Sequence, residues 1–245
     1  MNNSKKFLKL VVLSVLVALG VVISPILRVE GMCPMAHLIN IVCAVLLGPW
    51  YSLLCALLIG IIRMAIMGIP PIALTGAIFG AFLSGVFYKL SHGKLVFAVL
   101  GEVIGTGIIG AILSYPVMTY FWGKEGLSWL FYVPSFICGT LIGGSIAYLF
   151  LSKLSNAGLL PKLQARLGSE SYTDVHGVLG NSLSIAAFGV ILWLVITILK
   201  SVFKLTSPIW GYVANILLFG FITIAIIYFS AKKSKKAKTN ESEPS

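Results

Sequence analysis

His37 and Asn40 stand three positions apart in a segment, PMAHLINIVCAVLLG, that is otherwise almost wholly apolar. On a helix that spacing puts an imidazole and a carboxamide on one face, with Cys33 one turn earlier. Together the two groups donate and accept hydrogen bonds, which suits a small polar heterocycle as ligand. The same pair could instead satisfy a neighbouring helix. Their place at the mouth of a helix opened by Pro34 favours binding. Arg63 and Glu102 stand in further apolar runs, and charges inside a membrane bundle pair with each other or mark a functional site. Counting about 1.5 Å per residue along their helices leaves an axial offset of roughly 8 Å, which two long side chains can span. A structural ion pair between Arg63 and Glu102, direct or bridged by polar groups, is therefore expected, with Thr106 one turn after Glu102. Glu102 itself is placed towards the cytoplasmic third, at a different depth from His37. Direct ligand contact by Glu102 and a hydrogen bond between the two are not expected. Tyr115, Tyr120, Trp122, Trp129 and Tyr132 cluster near two helix ends. They make an interfacial belt or, for Tyr115 and Trp129, a stacking surface for an aromatic ligand.

Other chemistry finds little support. There is no nucleophile elbow, no His-Glu-x-x-His helix and no phosphate-cradling Gly-Lys-Ser/Thr loop. The four cysteines, Cys33, Cys43, Cys55 and Cys138, form no CxxC pair and no metal-ligand spacing. No metal site, no cofactor and no catalytic residue is expected.

The elements that must position these groups are membrane helices. With 58% hydrophobic and 10% charged residues and a mean hydropathy of +1.02, the chain is unlike water-soluble domains, which carry about 25% charge. Runs of about 20 apolar residues have the length to cross a bilayer. Breaks at Pro, Gly and charge predict an all-α polytopic bundle, with spans at 7–27, 35–48, 50–67, 71–89, 95–121 and 130–152. A polar connection over 153–182 precedes two more spans, 183–203 and 208–230, and a basic tail over 231–245 that reads as disordered. The second span is short and must be tucked among its neighbours, which leaves room for a cavity. Gly76/Gly80, Gly101/Gly105 and Gly139/Gly143 repeat at four-residue spacing, the pattern that lets membrane helices approach closely.

The net charge of +11 reports topology before nucleic-acid binding, for which no basic stripe with interleaved aromatics exists. With the N-terminus inside, thirteen Lys and Arg residues fall in cytoplasmic segments and four outside, with Arg63 within a span. That bias places both termini in the cytoplasm. The early run after Lys5, Lys6 and Lys9 is too long for a signal peptide and lacks a cleavage site.

CPMAHLINIVCAVLLGPWYSLLCALLIGIIR, with GAIFGAFLSGVFYK and GEVIGTGIIGAILSYPV, resembles the ThiW family over about residues 7–152. The match rests on Cys33-Pro34 with His37 and Asn40, the Leu47-Gly48-Pro49-Trp50 turn, and Gly101-Glu102 with Gly105-Thr106-Gly107. The last two spans look like an addition. The resemblance implies a six-helix substrate-binding (S) component of an energy-coupling factor (ECF) importer in the plasma membrane of a prokaryote. Its implied partners are membrane lipid, a transmembrane coupling subunit, and two cytoplasmic ATPases that supply the energy this chain has no motif to harvest. It also implies an external site for hydroxyethylthiazole, a precursor of thiamine, with His37 and Asn40 on its polar atoms. Small residues on the first helix would face the coupling subunit, and Ser14 and Ala18 have that spacing. Another vitamin or precursor (a pyrimidine, riboflavin), a membrane-embedded enzyme, and a purely structural membrane protein are the alternatives.

Overall fold

The computed structural model describes residues 3–26, 28, 32–172, 181–182, 185–186, 188–190, 192–193, 196–197, 200 and 206–241. They divide into two compact units, Met1–Thr173 and Asp174–Ser245, and the regular structure is helical throughout. In the first unit α1 spans Asn3–Ile23, α2 Pro34–Leu47 and α3 Pro49–Met67. α4 covers Ile72–Leu90, α5 Leu95–Phe121, α6 Val133–Asn156 and α7 Leu159–Leu167. In the second unit α8 spans Ile209–Glu241. Six of these helices (α1, α3, α4, α5, α6 and α8) are long and apolar enough to cross a membrane. The chain is a multi-pass membrane protein.

α2 is the hub of the first unit. It has 14 residues, and 11 of them are buried, so it is packed on all sides rather than facing lipid. A helix of that length covers only about 21 Å, less than the hydrocarbon core of about 30 Å. Its C-terminal end turns through Gly48, whose φ of +93° is a left-handed conformation that glycine adopts without strain, into Pro49 at the start of α3. Pro49 has no N–H, so the Val45 carbonyl four residues earlier loses its helical partner. Gln164 of α7 supplies the replacement: its Nε2 donates to Val45 O at 2.9 Å and to Tyr88 Oη at 3.0 Å. α7 can do this because Leu160, Gln164 and Leu167 share one buried face. Part of the stretch expected to be a polar connection is thus a helix tied under the bundle.

α4 and α5 cross closely through glycine. A Cβ on Gly101 would lie 2.6 Å from the Leu83 carbonyl carbon, and one on Gly105 2.6 Å from Gly80 Cα. Gly110 continues the contact, 2.8 Å from Thr75 O. Five residues separate Gly105 from Gly110, and i→i+5 bonding over Val103–Gly110 makes that stretch π-helical, so Gly110 still meets α4. A second π-helical turn, Val117–Phe121, follows Pro116.

α1 buries Lys9, Leu13, Leu16, Val17 and Gly20, while Ser14 and Ala18 are exposed on its other side. In the second unit, the described residues of the expected seventh span are helical, and the remainder of 183–203 lies outside the described residues. Trp193 Nε1 donates to Asn215 Oδ1 at 3.0 Å, and Phe188 meets Phe221. α8 runs on through 231–241, where no regular structure was expected, because its alanines and lysines are strong helix formers. Residues 242–245 of that tail lie outside the described residues.

Candidate functional site

The polar groups of α2 and α5 meet at one atom. Glu102 Oε1 accepts from His37 Nδ1 at 2.9 Å, from Asn40 Nδ2 at 3.0 Å and from Thr106 Oγ1 at 3.1 Å. All four residues are buried, Glu102 completely. A buried carboxylate needs such partners, because taking it out of water costs several kcal/mol. Asn40 Nδ2 also reaches Ala77 O at 3.4 Å, and the Asn40 carbonyl accepts from Ser52 Oγ at 2.9 Å. One residue therefore ties α2 to α3, α4 and α5.

This contact overturns the depths expected for His37 and Glu102. Measured from Leu47 at the end of α2 and Leu95 at the start of α5, His37 lies about 15 Å along α2 and Glu102 about 10 Å along α5. The difference of about 5 Å is within reach of the two side chains. The expected Arg63–Glu102 ion pair does not form. Glu102 meets His37 instead: its Oε1 is already filled by three donors and its Oε2 faces α4. A Cβ on Gly80 would lie 2.8 Å from Oε2 and closer still to Thr106 Oγ1. Only glycine on α4 leaves the carboxylate its place.

Above this cluster lies a small open cavity of about 70 Å³, below the roughly 300–1,000 Å³ of most small-molecule sites. His37, Arg63 and Thr106 line it, with Cys33, Met32 and Ala36 at the start of α2 and Arg28 before it. Ile69, Ile72, Ala73, Gly76 and Ala77 form the α4 side, and Phe136 of α6 the opposite side. The wall is apolar apart from a few convergent polar groups. With Nδ1 of His37 donating to the Glu102 carboxylate, Nε2 is an acceptor when the imidazole is neutral. A Cβ on Gly139 would stand 3.3 Å from Nε2, so glycine there keeps the space beside it clear. Cys33 lines the cavity with its thiol donating to Ser24 O at 2.9 Å.

Asn40 does not line the cavity; it positions Glu102, and through it His37. Tyr115 and Trp129 do not line it either. They pack on each other with centroids 4.7 Å apart, and Tyr115 lies thirteen residues beyond Glu102, about 20 Å further along α5. The ring facing the cavity is Phe136, packed at 5.8 Å against Tyr132. Phe136 carries no polar signal in the sequence, whereas Arg63 carried one that was read as structural.

A family model described as "Thiamine-precursor transporter protein (ThiW)" matches residues 10–157. No curated protein and no solved structure matches the chain.

Proposed function

Since the chain belongs to the ThiW family of thiamine-precursor transporters, we propose that it is the substrate-binding component of an ATP-driven ECF importer that captures hydroxyethylthiazole. The observation that carries this reading is the cavity whose floor is His37 held by Glu102, with Phe136 in its wall. The geometry suits a thiazole alcohol. His37 Nε2 accepts a hydrogen bond from the hydroxyl, Thr106 offers a second polar contact, and Phe136 offers a face or edge to the ring. Asn40 and Glu102 act by positioning, because a ring held by two partners on other helices loses less freedom when the ligand arrives.

In this reading the protein sits in the plasma membrane of a prokaryote with both termini in the cytoplasm. The cavity, at the α2 N-terminus, then opens outward. Ser14 and Ala18, exposed on α1, face a coupling subunit that two cytoplasmic ATPases drive. Unfolding of the purified protein tests the ligand. A compound that binds only the folded state stabilises it, by about 2.7 kcal/mol at a hundred times its Kd. Hydroxyethylthiazole should raise the unfolding midpoint, and co-expression should recover a complex with the coupling subunit and ATPases. No shift with any thiamine precursor would sink the ligand assignment, and turnover of ligand without partners would move the chain to the enzymes.

A further inference from the structure

Among the described residues, the cavity is lined by two guanidinium groups and by no acid. Arg63 is only 4% exposed, and its Nε is buried with no hydrogen-bond partner. It forms no ion pair among the described residues. Glu102, the partner expected from the sequence, has one oxygen filled by His37, Asn40 and Thr106 and the other against Gly80; Glu30 lies outside the described residues. Arginine cannot shed its charge by losing a proton, and a buried, uncompensated charge costs several kcal/mol. A cation held in this state at the wall of an open cavity is matched by an anion that enters. Arg28, exposed at the same mouth, adds charge of the same sign where it can draw an anion in.

We propose that the site takes an acidic ligand, a heteroaromatic ring bearing a carboxylate or a phosphate ester, and that Arg63 is its charge partner. The guanidinium fork matches either oxyanion with two parallel hydrogen bonds, while His37 and Phe136 hold the ring. The identity of the ring rests on the thiazole reading above; the acidic group rests on Arg63 alone.

Calorimetric titration of the purified full-length protein tests this with four probes: hydroxyethylthiazole, its phosphate ester, a thiazole carboxylate and a pyrimidine carboxylate. One thiazole anion should bind at least about tenfold more tightly than the alcohol, and which one does so identifies the oxyanion. Arg63→Gln should erase that margin by weakening the thiazole anions more than the alcohol, and Arg63→Lys should restore part of it. The wild-type comparison decides even if the glutamine variant fails to fold. An alcohol that binds as tightly as both anions overturns the proposal, as does an Arg63→Gln variant that weakens all probes equally. A pyrimidine carboxylate bound through Arg63, with no thiazole bound, would keep the acidic ligand and overturn the thiazole reading. Binding of the alcohol alone would do the reverse, and binding of no anion at all overturns the proposal.

Discussion

Gly80→Ala adds one methyl group at the tightest point of the site. The new Cβ would stand 2.8 Å from Glu102 Oε2 and nearer still to the Thr106 hydroxyl. Glu102 cannot swing away without leaving His37 and Asn40, and α4 cannot retreat without opening its crossing with α5. Overpacking of this kind costs about 1–3 kcal/mol, and losing one or two hydrogen bonds to Oε1 adds about 1 kcal/mol each. The gain in helix propensity from Gly to Ala returns about 0.5–1 kcal/mol. The expected net loss is about 1–4 kcal/mol, read from denaturant unfolding in micelles. Ligand affinity should fall by about tenfold, because His37 is displaced with its carboxylate. Gly220→Ala in α8 is the control: nothing lies within 4 Å of its Cβ position, so stability should hold or rise by up to about 1 kcal/mol. If Gly80→Ala unfolds and binds like the wild type, the α4–α5 crossing yields freely and Glu102 is not locked.

Three further outcomes follow from the same geometry. Glu102→Ala strands the donors of His37, Asn40 and Thr106 and should lower unfolding free energy by about 2–5 kcal/mol, with Glu102→Gln, which keeps an acceptor, losing less. Tyr115→Ala and Trp129→Ala should leave ligand affinity within about twofold by titration, since neither ring reaches the cavity. Gln164→Leu leaves the Val45 carbonyl without a donor, and unfolding should report a loss of about 1–3 kcal/mol. Beyond the end of α4, the hydrogen bond from Lys89 holds the Glu170 carboxyl below its ordinary range. A depressed carboxyl stabilises the fold above its unfolded pKa of about 4.5, and that contribution fades as pH falls through the folded value. Both groups are more than half exposed, so the contribution is below about 1 kcal/mol; Glu170→Gln should flatten the unfolding midpoint between neutral and acid pH by that small amount.

The helical bundle was legible because hydropathy and punctuation carry it: Pro34, Gly48-Pro49 and Pro71 mark ends that the structure keeps. The shared face of His37 and Asn40 was also legible, being a matter of spacing along one helix. Which residue meets them from another helix was not, because depth depends on where each helix starts relative to its neighbours. α2 begins recessed, and that brings His37 level with Glu102. The same uncertainty sent Arg63 to the wrong partner. Gln164 was hidden for a different reason: its partner is a backbone carbonyl orphaned by Pro49, and orphaned carbonyls leave no mark on hydropathy. Phe136 is one apolar residue among many until the cavity it faces exists.

The π-helical stretch of α5 also says where this chain can change length. Glu102 touches the Gly80 site on α4, and twelve residues later Ser114 Oγ meets Thr75 Oγ1 of the same helix at 2.7 Å. At about 100° per residue, an unbroken α-helix would leave the two some 120° apart, whereas a helix one residue shorter would leave them about 20° apart. The stretch Val103–Gly110 therefore absorbs one residue more than the two contacts require. A single deletion within it can relax to α-helix with both contacts kept. The same deletion elsewhere in the helix would swing everything beyond it by about 100°.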